Sequence, residues 1–277
     1  STNDDITFGA ITLATATTID TNASDTTGDI IIGAVTGANN SLTLDTTTST
    51  GSADITFNGD INLGTGALTV TGDVVLGANV SVTATPSSGI GIRFNDAINA
   101  DSASSNDRTL TLNAGTAATI FALGSNVGAS EALAGLTITQ SNGATFSGSV
   151  DVSDSNSGTI TLTDTTDGAD ITFSGAVTAD TFTTAAQGYD IFLNGDATFA
   201  NAVTFQNTGT LDLGNATSDT LTFNGGLTES TSGTVTIDGA IVSSDDAISF
   251  GNINLGQDLS MTSAGGAITI GTISAAS

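Results

Sequence analysis

Cysteine, histidine and tryptophan are missing from this chain of 277 residues. Without thiols or imidazoles, the chain cannot form a disulfide, a zinc site of the usual kind, or a catalytic centre that uses cysteine or histidine. These absences exclude disulfide scaffolds, zinc modules and the common thiol and imidazole enzymes.

Positive charge is almost absent as well. Arg93 and Arg108 are the only cationic side chains against 28 acidic ones, which gives a net charge of -26. Binding to phosphates of a nucleic acid or to an anionic membrane surface needs the cations that this chain lacks. No apolar run approaches the ~20 residues that a membrane-spanning helix requires. We therefore expect no nucleic-acid partner and no membrane insertion.

What the chain does contain is a regular alternation of apolar residues with threonine. Leu, Ile, Val or Phe occupies every second position in runs such as SLTLD (41–45), RTLTLN (108–113), GTITLTD (158–164) and DTLTFNG (219–225). A disordered acidic chain would not keep a period of two, whereas a half-buried strand requires it. The sequence thus predicts an all-β protein with many short strands, in which only GASEALAG (128–135) could form a helical turn.

The stretch DITFNGDINLG (54–64) contains an Asn-Gly pair that could be either a hairpin tip or a corner. A two-residue loop at Asn58-Gly59 would place apolar Phe57 opposite polar Asp60, which wastes both faces of a hairpin. If the chain instead continues without reversing, the apolar residues before and after Gly59 occupy alternate positions of one series and therefore face the same side. A corner is therefore the favoured interpretation, and a three-residue hairpin loop is the weaker one.

The same motif recurs along the chain, as in DITFGAI (5–11), DITFSGAV (170–177) and AISFGNI (247–253). The intervals between its phenylalanines lie mostly near one or two times about 25 residues, a length typical of solenoid repeats. The phenylalanines are Phe8, Phe57, Phe94, Phe146, Phe173, Phe223 and Phe250.

We predict that residues 1–277 form one β-solenoid, a single-stranded parallel β-helix with about three short strands per coil. Its eleven or so coils, stacked ~4.8 Å apart, would make a rod about 50 Å long. The seven phenylalanines should line one interior seam, and the misfit interval before Phe94 should mark an irregular coil. Local hairpins after Phe8 and Phe250, where the spacing is shorter, stay open.

The DITFNGxI and LTLNAGT runs, with their Thr-rich strands, resemble the β-strand repeat regions of large bacterial surface proteins. These include filamentous haemagglutinin and the solenoid passengers of autotransporters. The resemblance covers essentially the whole chain, and it implies a right-handed parallel β-helix outside the cell or on its surface. It also implies a role as an adhesin or as part of an extracellular fibre.

An enzyme built on such a scaffold is one alternative, with acidic clusters at Asp164, Asp167 and Asp170 and at Asp245 with Asp246. Neither arginine lies near these clusters in the sequence. Tyr189 is the only tyrosine that could serve as a sugar platform. We therefore expect no enzymatic activity, since lyase chemistry needs a base that is usually set beside Arg or Lys.

Calcium is the one metal that the composition suits, because Ca²⁺ takes oxygen ligands from Asp side chains and backbone carbonyls. The segment Asp164–Asp170 offers Asp164, Asp167 and Asp170 as candidate metal ligands. Diffuse screening of the acidic surface by cations is the competing interpretation.

Ice binding is a further alternative, which would use Thr-x-Thr ladders. Candidate pieces occur at Thr15 to Thr17, Thr109 to Thr111 and Thr220 to Thr222. They recur without a fixed spacing, and threonine is common on any exposed strand face.

The two ends of the chain favour a structural role. Both are strand-like with one apolar face, and the exposed ends of a solenoid need a cover. We predict an extracellular subunit that binds other copies of itself head to tail in a fibre, sheath or surface layer. The alternative is a repeat segment of a large surface adhesin that contacts a cell surface or a glycan. The predicted self-assembly residues are Ile6, Phe8, Ile11, Leu13, Ile268, Ile270 and Ile273.

Overall fold

The computed structural model describes residues 5–21, 28–47, 53–102, 108–122, 126–154, 157–229 and 231–275. Within these ranges the regular structure consists of strands. In chain order they are β1 Ile6–Phe8, β2 Ile11–Thr12, β3 Thr17–Asp20, β4 Ile30–Ile32, β5 Val35–Thr36, β6 Leu42–Asp45, β7 Asp54–Phe57, β8 Ile61–Gly64, β9 Leu68–Thr71, β10 Asp73–Leu76, β11 Val80–Ala84, β12 Ile90–Phe94, β13 Ile98–Ala100, β14 Thr109–Asn113, β15 Thr119–Ala122, β16 Gly135–Gln140, β17 Ala144–Phe146, β18 Val150–Val152, β19 Thr159–Leu162, β20 Asp170–Phe173, β21 Val177–Ala179, β22 Thr181–Thr184, β23 Asp190–Leu193, β24 Ala197–Phe199, β25 Val203–Phe205, β26 Leu211–Leu213, β27 Thr220–Phe223, β28 Leu227–Glu229, β29 Val235–Ser243, β30 Ile248–Phe250, β31 Ile253–Ser263, β32 Ile268–Ile270 and β33 Ile273–Ala275.

These strands stack in three columns, and each coil of the chain contributes to all three. The first column runs from β1 through β4, β7, β10 and β13 and continues through β18, β21, β24 and β27 to the second halves of β29 and β31. Val127 bridges its two parts by pairing with Ile98 and Val150. The second column contains twelve strands from β2 to β32, and the third runs from β3 to β33. Twelve strands at ~4.8 Å give a rod of about 50 Å.

Every strand pair in the described part of the chain is parallel, as in Ile6 with Ile30 and Ile30 with Ile55. The parallel β-solenoid predicted from the sequence is therefore confirmed. The hairpins considered after Phe8 and Phe250 do not form, because β1 pairs with β4 and β30 pairs with β28 and β32. Residues 128–135 also form no helical turn, since they connect Val127 to β16 as an irregular segment.

Asn58 and Gly59 form a corner, which answers the question that this pair raises in the sequence. They connect β7 in the first column to β8 in the second, and the Asn58 N–H donates to the Ile32 carbonyl of the preceding coil (2.8 Å). A β-carbon at Gly59 would lie 2.7 Å from the backbone nitrogen of Ala34. The corner therefore needs glycine because the neighbouring coil is too close for a side chain.

The core is a single apolar cluster that extends through the rod from Leu13 to Ile253. Alternate residues of each strand point into it, as the buried Leu42 and Leu44 of β6 show. Aromatic rings add to it, with Phe146 and Phe173 stacked at 5.1 Å between ring centroids. The apolar residue at every second position of the sequence thus faces the core, and the residues between face the outside of the rod.

The motif phenylalanines do not share one seam, so this part of the prediction is wrong. Phe57 and Phe223 lie in the first column and Phe173 lies in the third, although all three are fully buried. The same sequence motif, a strand followed by a corner and a second strand, therefore occurs at more than one corner of the coil. The interval before Phe94 accordingly marks a change of column, since the partner of Phe57 one coil later is Leu76.

Candidate assembly surfaces

One end of the rod is formed by β1, β2 and β3, each of which pairs with a strand on one side only. The consequence is clearest at Phe8, which is 41% exposed although it belongs to an inward-facing row. Ile6 and Ile11 are partly buried, and Leu13 is buried.

The other end is formed by the second half of β31 together with β32 and β33. Ile268 is 43% exposed, Ile273 is 56% exposed, and Ile270 is partly buried. Among the residues that the structure describes, the large apolar side chains that are exposed are these two isoleucines and Phe8. The predicted self-assembly residues thus lie in the two terminal coils, where the apolar core meets solvent.

Inward-facing side chains form rows that run along the rod, one residue per coil. The row that begins at Phe8 reaches Phe199, Phe223 and Ser243, and it ends at Ser263. The row that begins at Ile6 ends at Met261. These rows define which residue of one end is in register with which residue of the other.

The register differs from the partners that the sequence alone suggested. Ile11 belongs to the row that ends at Ile270 in the second column. Ile6 and Phe8, however, are in register with β31 of the first column and not with Ile268 or Ile273. The sequence could not show this because β31 supplies two columns in succession.

Acidic and amide side chains at the corners bind the next coil. A carboxylate oxygen of Asp5 accepts the N–H of Asp29 (3.1 Å), and Asp29 in turn accepts the N–H of Asp54 (3.0 Å). Asp196 accepts the N–H of Thr220 (2.8 Å) in the same way. These aspartates therefore contribute to the fold, since their carboxylates accept hydrogen bonds from backbone N–H groups at the corners, where the hydrogen bonds between strands are interrupted.

Asp164 and Asp167 lie on the segment that connects β19 to β20, Asp170 is the first residue of β20, and all three are exposed. Asp164 accepts a hydrogen bond from the Gln140 side chain (3.2 Å), and Asp167 accepts one from the N–H of Gly188 (3.1 Å). In the part of the chain that the structure describes, no three acidic side chains converge into a set that could hold a metal ion. Calcium at these three residues stays a prediction.

The two arginines have partners elsewhere on the rod. Arg108 forms an ion pair with Asp101 (2.8 Å), and Arg93 lies over the Phe121 ring, 5.8 Å from its centroid. Arg93 is also far from Asp170. Thr172, which is two residues after Asp170 in β20, lies three strands from Arg93 in the third column, about 14 Å at the usual strand spacing. The fold therefore brings no cation beside Asp170, and Asp245 and Asp246 lie at an exposed turn before β30.

Tyr189 is fully buried, so it does not offer a sugar platform. Its hydroxyl accepts the N–H of Ala185 (2.9 Å), and its single hydrogen has the carbonyls of Leu162 (3.1 Å) and Ala185 (3.2 Å) as alternative acceptors. Burial raises the pKa of Tyr189 to about 12. The ring is part of the core at the corner before β23.

The sequence motif did not predict outward-facing aromatic rings, because Phe121 and Phe192 are not among its seven phenylalanines. Phe121 and Phe192 point outward from the third column, in line with Arg93 and Asp212. Phe121 borders an open groove whose other lining residues include Thr119, Asn142, Thr145 and Asp170. The signal was present in IFA (120–122) and IFL (191–193), where adjacent apolar residues cannot all face inward.

The threonine pieces considered for ice binding lie on three different columns, at β3, β14 and β27. A separate outward row of hydroxyl residues does run along the second column, through nine successive strands. Its members are Ser81, Thr111, Thr137, Thr161, Thr183, Thr204, Thr228, Ser249 and Thr269. The adjacent row is interrupted by Gly135 between Thr109 and Thr159, so the face is not a regular Thr-x-Thr array.

The stacked parallel columns define the protein as a parallel β-solenoid. No helix within the described ranges is long and apolar enough to cross a membrane. The chain matches no family model, and no curated protein and no solved structure is significantly similar to it.

Proposed function

We propose that this β-solenoid is an extracellular structural protein whose rods join head to tail into a fibre, sheath or surface layer. The observation that carries the proposal is the exposure of Phe8 at one end and of Ile268 and Ile273 at the other. A second copy would cover both apolar surfaces, at about 25 cal/mol per Å² of apolar area removed from water. It would also pair the open strand edges. The extracellular location is supported by the resemblance to bacterial surface repeat proteins.

The side chains at the two ends are complementary in size when the columns continue in register. Phe8 of one copy would lie over Ser263 of the next, and Ile19 would lie over Ala275. The rod already places a Phe and a Ser at corresponding positions of successive coils, because Phe223 and Ser243 directly follow the paired residues Thr222 and Val242. The end-to-end contact would thus repeat a packing arrangement that the fold uses internally.

Charge favours contacts at the ends over contacts between the sides. A chain of net charge -26 with two arginines repels parallel copies of itself, and exposed acidic residues such as Asp164 and Asp170 lie along its sides. An end-to-end contact joins unlike surfaces, so it need not close and can continue as a filament.

Engineered cysteines can test the register, because the chain has none of its own. Cysteines at Ile11 and Ile270 would be in-register neighbours about 4.8 Å apart between two copies, within the Cα range of a disulfide. We expect oxidation of this variant to give a ladder of covalent oligomers on a denaturing gel. A matched variant with cysteines at Ile11 and Ile268 places them two residues out of register, about 8 Å apart, and should not cross-link. Equal cross-linking of both variants, or of neither, would contradict the proposed contact.

The groove beside Phe121 favours a second candidate, a repeat segment of a surface adhesin that contacts glycans. An outward ring next to the side chains of Asn142, Thr145 and Asp170 combines an apolar platform with hydrogen-bonding groups. Saturation-transfer NMR with neutral oligosaccharides tests this function. Signal that is lost in Phe121→Ala but kept in Phe192→Ala would support it, and the absence of signal from the wild-type chain would remove it.

A further inference from the structure

Two neighbouring aspartates near the C-terminal end of the rod, the buried Asp238 and the partly buried Asp212, each have one carboxylate oxygen without a hydrogen-bond donor. Asp238 is only 8% exposed, and one of its oxygens, Oδ1, is inaccessible and has no hydrogen-bond partner. Asp212, in the preceding coil, is only partly buried, but its Oδ1 is also inaccessible and has no hydrogen-bond partner. A buried carboxylate oxygen without a donor is costly, so these two oxygens favour a partner from solution.

The two side chains are neighbours on the outer side of the third column. Asp212 is in register with Thr236, whose hydroxyl donates to it, and Asp238 follows two residues after Thr236. Burial is the main cause that raises the pKa of Asp212, and the charges of Asp238 and Asp190 raise it further. The negative charges of Asp212 and Asp238 are therefore close enough to oppose each other.

A bulge in β31 lies against Asp238. Ile237 pairs with Leu255 and Gly239 pairs with Leu259, so residues 256–258 are looped out opposite Asp238. Gly256 lies directly against the carboxylate, since a β-carbon there would be 2.4 Å from Asp238 Oδ2 and 2.5 Å from Oδ1. The Gln257 side chain donates to the Asn215 carbonyl (3.1 Å) and fastens the bulge across the coils.

No cationic side chain of this protein can neutralise the pair. The chain has no lysine, Arg108 is paired with Asp101, and Arg93 lies over Phe121. In the third column Arg93 is five strands away from Asp212, about 24 Å. The compensating positive charge must therefore come from solution.

We propose that Asp212 and Asp238 bind one divalent cation, of the class of Ca²⁺, beneath the β31 bulge. Two carboxylates match its double charge, and their oxygens are hard ligands that suit Ca²⁺ better than softer metals. The Thr236 hydroxyl, backbone carbonyls and water can complete the six to eight oxygens that Ca²⁺ takes. Bound there, the cation would join β26 to β29, and through the bulge to the last coils of the rod.

Isothermal titration of the metal-free full chain with CaCl₂ tests the site, in about 0.1 M KCl to suppress diffuse binding to the acidic surface. We expect one saturable site per chain in the wild type, together with a rise in melting temperature. Asp238→Asn and Asp212→Asn should each weaken this site by about tenfold or more, a loss seen even for outer-shell partners of metal ligands. Asp245→Asn removes an exposed carboxylate elsewhere and should leave the site unchanged.

Both aspartate substitutions are nearly isosteric, and circular dichroism verifies that each variant keeps its strands. Asp238→Asn should also raise the melting temperature of the metal-free chain at neutral pH, because it removes one uncompensated charge. A wild-type chain that shows no saturable Ca²⁺ binding would overturn the proposal. Equal Ca²⁺ affinity in the wild type and both variants would overturn it as well.

Discussion

The tetrapeptide DITF occurs at residues 5–8 and again at 54–57, and the two copies end in very different surroundings. Phe57 is fully buried, whereas Phe8 in the terminal coil is 41% exposed. Both side chains point inward from the first column and belong to the same row. The difference shows that a coil obtains much of its burial from the coils on either side of it. A solenoid therefore keeps an unsatisfied surface at each end until a neighbour or a cap covers it.

The strongest test of this comparison is to place charge at both ends with Phe8→Asp and Ile270→Asp. We expect the rod to stay folded and elongation to stop, because burying unpaired carboxylates costs several kcal/mol each. Electron microscopy and sedimentation report the assembly. Thr161→Asp, on the outer face of the second column, is the control and should still elongate.

Filaments that persist in the double variant would place the contact on the sides of the rod. A wild-type chain that stays monomeric at high concentration would favour the adhesin-segment alternative.

The second test compares the same truncation in the two surroundings. Phe173→Ala, in the middle of the rod, removes a buried ring stacked on Phe146 and should lower the free energy of unfolding by ~3–5 kcal/mol. Phe8→Ala should cost less than ~1 kcal/mol in isolated rods, since much of that ring is already in water. Denaturant titration of a non-assembling variant measures both, and similar losses would refute the comparison.

Two glycines offer a third test at matched positions. A β-carbon at Gly33 would lie 2.8 Å from the Gly9 carbonyl oxygen, whereas one at Gly9 would contact nothing within 4 Å. We expect Gly33→Ala to destabilise the rod by ~1–3 kcal/mol and Gly9→Ala to leave the isolated rod unchanged.

In assembled rods Gly9→Ala should slow elongation. A β-carbon at Gly33 would point toward Gly9 in the preceding coil, so the new methyl group at residue 9 should point in the same way toward the incoming copy. Light scattering measures the rate. An unaffected rate would show that the incoming coil does not approach Gly9 as closely as successive coils approach one another.

The smallest expected effect concerns charge in one row of corner residues. Burial is the main cause that raises the pKa of Asp54, and the neighbouring Asp29 and Asp73 raise it further. A carboxyl group with a raised pKa in the folded state gains stability as the pH falls through that pKa and opposes folding when ionised. Asp54→Asn should thus stabilise the rod at pH 7, within the ~0.5 kcal/mol typical of surface changes.

The gain from Asp54→Asn should disappear in acid, where wild-type Asp54 is itself protonated. Asp60→Asn serves as the control, because an amide oxygen can still accept the Ser81 N–H that Asp60 accepts now (2.8 Å). Melting curves across the acidic range test both variants. A gain for Asp54→Asn that is independent of pH would exclude charge as its cause.

The sequence predicted the strands, the corners and the parallel stacking, because period-two alternation and glycine corners are local features. It did not predict which column each motif enters. One turn takes 19 residues between Ile55 and Val74 but 29 between Ile98 and Val127, so spacing alone cannot assign a column. The two ends were recognisable from their apolar strands. The Asp212 and Asp238 pair was not, because it depends on the β31 bulge more than 15 residues further along the chain.

Many of the corner hydrogen bonds share one direction along the rod, although Asp96 and Asp180 accept from the earlier coil. Asp5 accepts from Asp29, Asp29 from Asp54, and Asp73 from Ala97 (3.0 Å), so in these pairs the acceptor belongs to the earlier coil. A coil that has already formed therefore displays carboxylates at the positions where the next coil will bring its unpaired N–H groups. Such a chain can fold progressively from its N-terminal end, with each completed coil acting as the template for the one that follows.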